Sequence, residues 1–159
     1  MQIYRIADAR HPVWDGTGAA MLGGRWNSPG RPVIYGAASF ACAMLEILVH
    51  ANMGRVPATQ VCVVAELPPE MAIERHAAAD LPSAWDTEDL SISRGFGDLW
   101  HQQLRSAVLL VPSVVARLEF IALVNPLHPQ AGQIRLQPSQ PVIWDQRLFT
   151  QPVVNRPAL

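Results

Sequence analysis

The sequence predicts a single α+β domain, and its length, its composition and the order of its elements support this class. The chain has 159 residues, half of them hydrophobic, so it can bury a sizeable core. Strand-like segments follow helical ones without the strict alternation of an α/β protein. Apolar runs stop short of the length that spans a bilayer, and the amino terminus lacks the apolar region of a signal peptide. We therefore expect a globular, cytoplasmic protein with no membrane contact.

The first half of the chain is predicted to contain three strands and one helix. The strands cover Gln2–Ala7, Pro32–Tyr35 and Gln60–Leu67, and the helix begins after Ser39. Ser39 is an ordinary helix N-cap residue. The long segment between the first two strands is rich in turn residues and is predicted to be a loop at the rim of a binding site.

The second half is predicted to be mainly β-structure. Residues 72–94 are acidic and alanine-rich and are expected to form a loop with a short helix, followed by a helix over Phe96–Ser106. Strands are predicted over Ala107–Val111, Glu119–Val124, Ile134–Gln137 and Val142–Trp144. Residues 151–159 contain two prolines and are expected to be a tail after a domain of residues 1–150.

The charges of the chain do not indicate a nucleic-acid-binding protein. The net charge is −1, so no general attraction to nucleic acid is expected. All twelve basic residues are arginines, whose planar fork suits bidentate contacts to carboxylate or phosphate, although codon bias explains the absence of lysine equally well. Four arginines precede the predicted helix, as would suit a phosphate-bearing ligand there: Arg5, Arg10, Arg25 and Arg31.

Glu46 is the only charged side chain in the apolar run Phe40–Val49, which is predicted to be helical. Removing a lone carboxylate from water is costly, so Glu46 is expected to have a partner or a chemical task. Helical spacing places the small residues Cys42 and Ala43 on its face, which leaves room for a ligand. The larger side chains are predicted to face the core: Phe40, Met44, Ile47 and Leu48.

A turn-rich segment upstream of the helix, Gly23–Gly30, can bring its backbone and the fork of Arg25 close to a ligand. Tyr35 ends the short strand that follows, so Arg25, Tyr35 and Glu46 form one candidate site. Each residue alone has a structural explanation: an ion-paired glutamate, a surface arginine, or a core tyrosine with its hydroxyl at the rim. The combination favours a site.

Several common catalytic arrangements are absent from the sequence. The five histidines are scattered, and no histidine–carboxylate spacing matches a zinc site. The two cysteines lack metal or redox spacing and are expected to be small core residues. We find no P-loop, dinucleotide fingerprint or serine-hydrolase elbow. We therefore expect a metal-independent site.

Several motifs resemble those of the RES family, bacterial toxins named for their arginine, glutamate and serine. The most specific is the glycine-arginine-tryptophan-asparagine block with its downstream tyrosine and glutamate. The similar segments are Gly23–Asn27, Val33–Tyr35, Leu45–His50, Val111–Ser113, Asn125–Pro129 and Trp144–Phe149. The resemblance extends from about Ile3 to Phe149, which is nearly the whole chain.

The resemblance implies an ADP-ribosyltransferase-like fold of mixed sheets, with a central helix that carries Glu46. It also implies a toxin that cleaves NAD at the nicotinamide–ribose bond, by hydrolysis or phosphorolysis, and an Xre-type helix-turn-helix antitoxin that covers the active site. By motif, Glu46 would be catalytic, Arg5 and Arg25 would hold the phosphates, Tyr35 would pack on the nicotinamide end, and Ser113 would line the pocket. Some relatives are described as protein ADP-ribosylators.

A single carboxylate is consistent with this chemistry. Ordinary glycosidases need two, because one must protonate the leaving oxygen. Nicotinamide leaves from a cationic pyridinium and needs no general acid, so one glutamate can stabilise the developing ribosyl cation. Two other interpretations remain open: a protein ADP-ribosyltransferase and a non-enzymatic interaction module. An RNA-cleaving toxin is disfavoured by the charge and by the lack of a histidine pair. The acceptor of the ADP-ribose and the presence of a homo-oligomer also remain open.

Overall fold

The computed structural model of the protein describes residues 1–51 and 58–149, so the predictions for residues 151–159 lie outside it. In chain order the elements are β1 (Gln2–Asp8), α1 (Thr17–Leu22), β2 (Ile34–Ala37), α2 (Phe40–Ala51), β3 (Gln60–Glu66), β4 (Ile73–Arg75), α3 (Ser91–Gln103), β5 (Val108–Pro112), β6 (Phe120–Val124), β7 (Arg135–Leu136) and β8 (Gln140–Pro141). Short 3-10 helices cover Ala78–Asp80, Ala131–Gln133 and Gln146–Leu148. No helix within the described ranges is long and apolar enough to cross a membrane.

The eight described strands form one mixed sheet in the order β4-β5-β6-β2-β1-β3-β7, with β8 also paired to β3. All pairings are antiparallel except that of β4 with β5. The predicted α+β class is confirmed. The central pairing of β2 with β6 places Tyr35 opposite Leu123, and β1 lies on the other side of β2.

The core lies on both faces of this sheet, and β5 shows why. All five of its residues are buried, as expected for a strand covered on both sides. Val108 and Leu110 pack into one apolar cluster, whereas Leu109 and Val111 pack into a second one. The second cluster contains three tryptophans from outside the sheet: Trp26, Trp85 and Trp100. The glycine-arginine segment and α3 therefore cover the second face.

Helix α2 packs on β1 and β2. The predicted cap is confirmed, because the Ser39 hydroxyl oxygen accepts a hydrogen bond from the Cys42 N–H at 3.1 Å. The predicted burial of Phe40 was wrong: Phe40 is 39% exposed, whereas Cys42 and Ala43 are buried against the sheet. Small side chains at this contact let the helix approach the strands closely, so the face of Glu46 is turned inward.

The structure differs from the sequence prediction in four elements. Helix α1 lies within the segment predicted to be a loop, and strand β4 lies within the acidic segment 72–94. Helix α3 covers Ser91–Gln103 instead of the predicted Phe96–Ser106, and β8 covers Gln140–Pro141 instead of the predicted strand Val142–Trp144, whose residues are not in a strand. Strand β4 has only three residues and depends on pairing with β5, so its own sequence carries little signal.

Candidate active site

A cavity of about 580 Å³ lies between α1, α2, the glycine-arginine segment and the turn after β5. Its wall is largely apolar, and four charged residues reach it: Arg5, Asp15, Arg25 and Glu46. Ligand sites commonly enclose roughly 300–1,000 Å³ with a few polar groups that fix orientation. Tyr35 also lines this cavity, so the structure brings four of the five predicted site residues to one place.

Glu46 is half-buried on α2, and the fifth predicted residue, Ser113, lies directly behind it. The Ser113 hydroxyl donates to Glu46 Oε1 at 2.7 Å. The same oxygen accepts from the backbone N–H groups of Val115 at 3.1 Å and Ala116 at 2.8 Å. Because a hydroxyl has one hydrogen and two lone pairs, these two bonds direct the hydrogen toward Glu46. Ser113 is fully buried, and its hydroxyl hydrogen is bonded to the Glu46 carboxylate.

Cys42 lies close to this carboxylate but is not an activated nucleophile. Burial raises the pKa of its thiol to about 11, with further contributions from the negative charges of Glu46 and Glu119, while the neighbouring Ser113 hydroxyl acts in the opposite direction. Nucleophilic attack requires the thiolate, and a thiol with this pKa stays protonated at neutral pH. Cys42 is therefore the small core residue that the sequence predicted.

The position of Tyr35 is fixed by its hydroxyl. This hydroxyl accepts from the Trp26 N–H at 3.0 Å and donates to Asn27 Oδ1 at 2.7 Å. Burial raises the pKa of Tyr35 well above its ordinary value, so the phenol stays protonated. Gly24 is required for this approach, since a Cβ there would lie 2.4 Å from the Tyr35 hydroxyl oxygen. The ring of Tyr35 is thus held as part of the cavity wall.

Asn27 organises the segment that carries Arg25, although sequence reasoning gave it no role of its own. It is fully buried, and its amide nitrogen donates to Ala19 O at 2.8 Å and Arg31 O at 3.0 Å. One side chain therefore joins α1, the loop and Tyr35. An asparagine next to a tryptophan in a glycine-rich turn was the available signal, because such amides often satisfy loop backbone.

Arg25 reaches across the cavity wall to the loop that follows Trp85. Its Nη1 donates to Thr87 O at 2.8 Å and to Trp85 O at 3.3 Å. Within the described residues no hydrogen bond occupies its Nε and Nη2 groups, which are the edge of the guanidinium that a phosphate or carboxylate can use. Arg25 thus lines the cavity and also fastens its rim.

Arg5 is held by the backbone. Its guanidinium donates to the carbonyl of Val13, to Tyr35 O at 2.6 Å and to Asp15 O at 3.3 Å. Burial lowers the pKa of Arg5, and the charge of Asp15 acts in the opposite direction. Three of its five N–H groups are used in these bonds, which leaves two that can face a ligand.

Asp15 is a cavity residue that sequence reasoning missed. Its Oδ1 accepts from the Thr17 backbone N–H at 3.2 Å and from the Thr17 hydroxyl at 2.9 Å, directly before α1. The available signal was an aspartate two residues ahead of a threonine, a common helix-start pattern. Among residues 1–51 and 58–149, no three histidine, cysteine, aspartate or glutamate side chains are grouped to hold a metal ion.

The class of protein is defined by comparison with known families. The model of the RES domain matches residues 2–145, which is most of the chain. The protein therefore belongs to the RES domain family, and the resemblance found in its motifs is confirmed.

Individual relatives agree with this assignment. The chain is 40% identical over 153 residues to the Prs ADP-ribosylating toxin of Sphingobium sp. (strain YBL2), covering 92% of this chain and 95% of the relative. It is 33% identical over 130 residues to Toxin Res of Photorhabdus laumondii, covering 80% and 83% of the two chains. A chain of the crystal structure of the M. tuberculosis MbcT-MbcA toxin-antitoxin complex shares the fold, with a TM-score of 0.70, 22% identity and coverage of 87% and 82%.

Proposed function

We propose that residues 1–150 form an intracellular toxin domain that cleaves NAD at the bond between nicotinamide and ribose. The observation that carries this proposal is a single carboxylate, Glu46, oriented by Ser113 at the wall of a cavity that Arg5 and Arg25 also line. One carboxylate with arginines suits a substrate that has a cationic leaving group and a negatively charged pyrophosphate.

The chemistry requires little from the protein beyond charge and position. The C–N bond breaks with its electron pair going to nicotinamide, which leaves as a neutral molecule, while positive charge develops on the ribose. A carboxylate at that point stabilises the charge, and typical electrostatic contributions of this kind are worth about 10²–10³ in kcat. Water or phosphate then bonds to the ribose carbon, and attacking water releases its proton to solvent. Metal is not needed in this scheme.

The residues lining the cavity fit the parts of NAD. The open edge of the Arg25 guanidinium matches a phosphate, and the two remaining N–H groups of Arg5 can add to it. The fixed ring of Tyr35 offers a flat surface for the cationic nicotinamide, a contact worth roughly 0.5–2 kcal/mol. Because the Tyr35 hydroxyl is already bonded to Trp26 and Asn27, we assign its contribution to the ring.

Product analysis tests this function. Purified protein is incubated with NAD, with and without phosphate, and the products are identified by mass spectrometry. Release of nicotinamide with ADP-ribose indicates hydrolysis, and phosphorylated ADP-ribose indicates phosphorolysis. Activity is expected to survive a chelator, and loss that is reversed by added metal would contradict the metal-free scheme. Absence of nicotinamide release from folded protein would refute the proposal.

A second candidate function is ADP-ribosylation of a protein. The specific observation in its favour is the name of the 40% identical Sphingobium relative, an ADP-ribosylating toxin. The two functions differ in the acceptor that attacks the ribose carbon. Incubation with labelled NAD and bacterial cell protein separates them, because a transferase leaves label covalently bound to one protein. Free ADP-ribose with no labelled protein favours the first candidate.

We further propose that the partner is an antitoxin of the Xre helix-turn-helix type. The fold is shared with a toxin that was crystallised in a toxin-antitoxin complex, and the motif resemblance implies the Xre class. Expression of this chain alone in the bacterial cytoplasm should lower the NAD level and stop growth. Co-expression of the antitoxin should restore both. Growth arrest at normal NAD, unchanged in Glu46→Ala, would instead favour the non-enzymatic interaction module.

A further inference from the structure

The turn between β5 and β6, residues 113–119, contacts α2 at two separate points. At one point the Ser113 hydroxyl donates to Glu46 Oε1 at 2.7 Å. At the other the Ser39 hydroxyl donates to Glu119 Oε2 at 2.9 Å. Ser39 and Glu46 are two helical turns apart, about 10 Å along the helix axis. Two contacts this far apart fix both the rotation and the height of a helix, which one contact cannot do.

The two contacts belong to one internally bonded turn. The Ser113 N–H donates to Glu119 O at 2.9 Å, and the Glu119 N–H donates to Ala116 O at 2.8 Å. Ser113 and Glu119 are therefore the two ends of the same closed turn, held at a fixed separation. A change at the Glu119 end is transmitted to the Ser113 end through the backbone and through the position of α2.

Ser39 connects the turn to the backbone of the helix. Its hydroxyl oxygen accepts from the Cys42 N–H at 3.1 Å while its hydrogen is donated to Glu119. The Glu119 carboxylate thus takes the hydrogen of the Ser39 hydroxyl, so that a lone pair of this hydroxyl remains for the helix cap. Hydrogen bonds to an ionised acceptor are stronger than those between neutral groups. The negative charges of Glu46 and Glu119 both act on the Cys42 thiol, so the two carboxylates flank the same buried side chain.

We propose that Glu119 is a positioning residue for the reaction. Through Ser39 it sets the start of α2 against the turn, and this keeps the Glu46 carboxylate where Ser113 orients it. Glu119 is not among the described residues that line the cavity, so its effect is expected to fall on the geometry of Glu46. The proposal rests on the proposed function, because its first readout is NAD cleavage.

The kinetic test uses Glu119→Ala, Glu119→Gln and Ser39→Ala. In Glu119→Ala we expect kcat to fall about 10- to 100-fold with KM nearly unchanged, because a small misplacement of a reacting group costs rate. Glutamine keeps an acceptor oxygen and should restore kcat to within about threefold of the wild type. Because both Glu119→Ala and Ser39→Ala remove the Ser39–Glu119 bond, the loss in the double variant should be smaller than the sum of the two single losses, the remainder being the Cys42 cap that only Ser39→Ala removes. The matched control, Glu70→Ala, removes an exposed glutamate between β3 and β4 and should leave kcat unchanged.

Two kinetic outcomes overturn the proposal: a folded Glu119→Ala protein with wild-type kcat, or a Glu119→Gln protein as slow as Glu119→Ala. A second readout does not depend on catalysis. Amide hydrogen exchange at Cys42 and Ala43, measured by NMR, should accelerate about tenfold in Glu119→Ala and stay unchanged in Glu70→Ala. If the wild-type protein cleaves no NAD, the proposed function fails, but hydrogen exchange still tests whether Glu119 holds the start of α2. Unchanged exchange in Glu119→Ala then overturns the positioning role of Glu119.

Discussion

The two walls of the cavity are built by different means. The loop wall consists of residues 23–31, which have no regular secondary structure, and of the α3 residues that hold them, whose side chains satisfy part of the loop backbone. Arg94 Nε donates to Gly24 O at 2.9 Å, and Asp98 Oδ1 accepts from the Ser28 N–H at 2.9 Å. The helix wall, α2 with the turn of residues 113–119, satisfies its backbone within the helix and touches the turn through a few side chains.

This difference predicts which property each wall controls. A loop held by side-chain bonds loses its shape when one of them is removed, because buried backbone groups are then left without partners. A helix keeps its backbone bonds when a side chain is exchanged for one of the same shape. Substitutions in the loop wall should therefore act mainly on stability and binding, and substitutions in the helix wall should act mainly on the rate of the reaction.

The largest expected effect is that of Glu46→Gln in the helix wall. Glutamine preserves shape and can accept from Ser113, but it removes the negative charge that opposes the ribosyl cation. We expect kcat for NAD cleavage to fall at least about 10²–10³-fold, with little change in unfolding by urea. Full activity in the folded variant would remove Glu46 from the chemistry, and a large loss of stability would contradict the division between the walls.

The next largest effect is expected in the loop wall, for Gly97→Ala on α3. A Cβ at Gly97 would lie 1.9 Å from Trp26 O, so the helix or the loop must move. Overpacking of this kind costs about 1–3 kcal/mol of unfolding free energy, measured by urea denaturation. Gly95→Ala is the matched control, because a Cβ there meets nothing within 4 Å and alanine favours the helix. Equal stability of the two variants would show that α3 does not support the loop.

The parts of the fold that the sequence predicted are those with local signals. The strands β1, β3, β5 and β6 have apolar patterns of their own, and the start of α2 follows from the N-cap Ser39. Glu46 was singled out by its lone charge in an apolar run. Each of these signals is contained in a few consecutive residues, so the spacing of apolar and polar residues along the chain is enough to predict the element.

The parts that the sequence could not supply depend on distant partners. Ser39 and Glu119 are 80 positions apart, and β4 exists only because β5 pairs with it. The inward rotation of α2 depends on how closely Cys42 can approach the sheet, which is a property of the strands as much as of the helix. No local pattern encodes these pairings.

A smaller effect is expected for Arg25→Lys in the loop wall. Lysine keeps the charge but loses the planar fork that donates to Thr87 and faces the cavity. We expect KM for NAD to rise about tenfold with a modest change in kcat, because binding is lost equally in the ground and transition states. Arg10→Lys is the control, since Arg10 is exposed and paired with Asp8 outside the cavity. Unchanged KM would make Arg25 a structural residue of the rim.

The smallest effect is expected from His101, which joins α3 to Pro32, the residue directly after the loop wall. Its Nε2 bonds to Pro32 O at 3.0 Å, which requires a proton on that nitrogen in the neutral ring. Burial lowers the pKa of His101 below its ordinary value of 6.5, and the bond to Pro32 opposes this shift. Below about pH 6.5 the unfolded chain therefore takes up a proton at His101 more readily than the folded protein does. The contribution of His101 to the free energy of unfolding is fully present above this pH and is lost as the pH falls below it.

Thermal unfolding of His101→Gln, measured from neutral to mildly acidic pH, tests this. Glutamine can donate to Pro32 but does not titrate, so its melting temperature should fall less over this interval than that of the wild type. The aspartates that other contacts stabilise, such as Asp86 with Arg117, titrate in both proteins and cancel in the comparison. If the two pH profiles are parallel, His101 contributes no pH dependence. The bond of His101 to Pro32 would then contribute equally to stability throughout this pH interval.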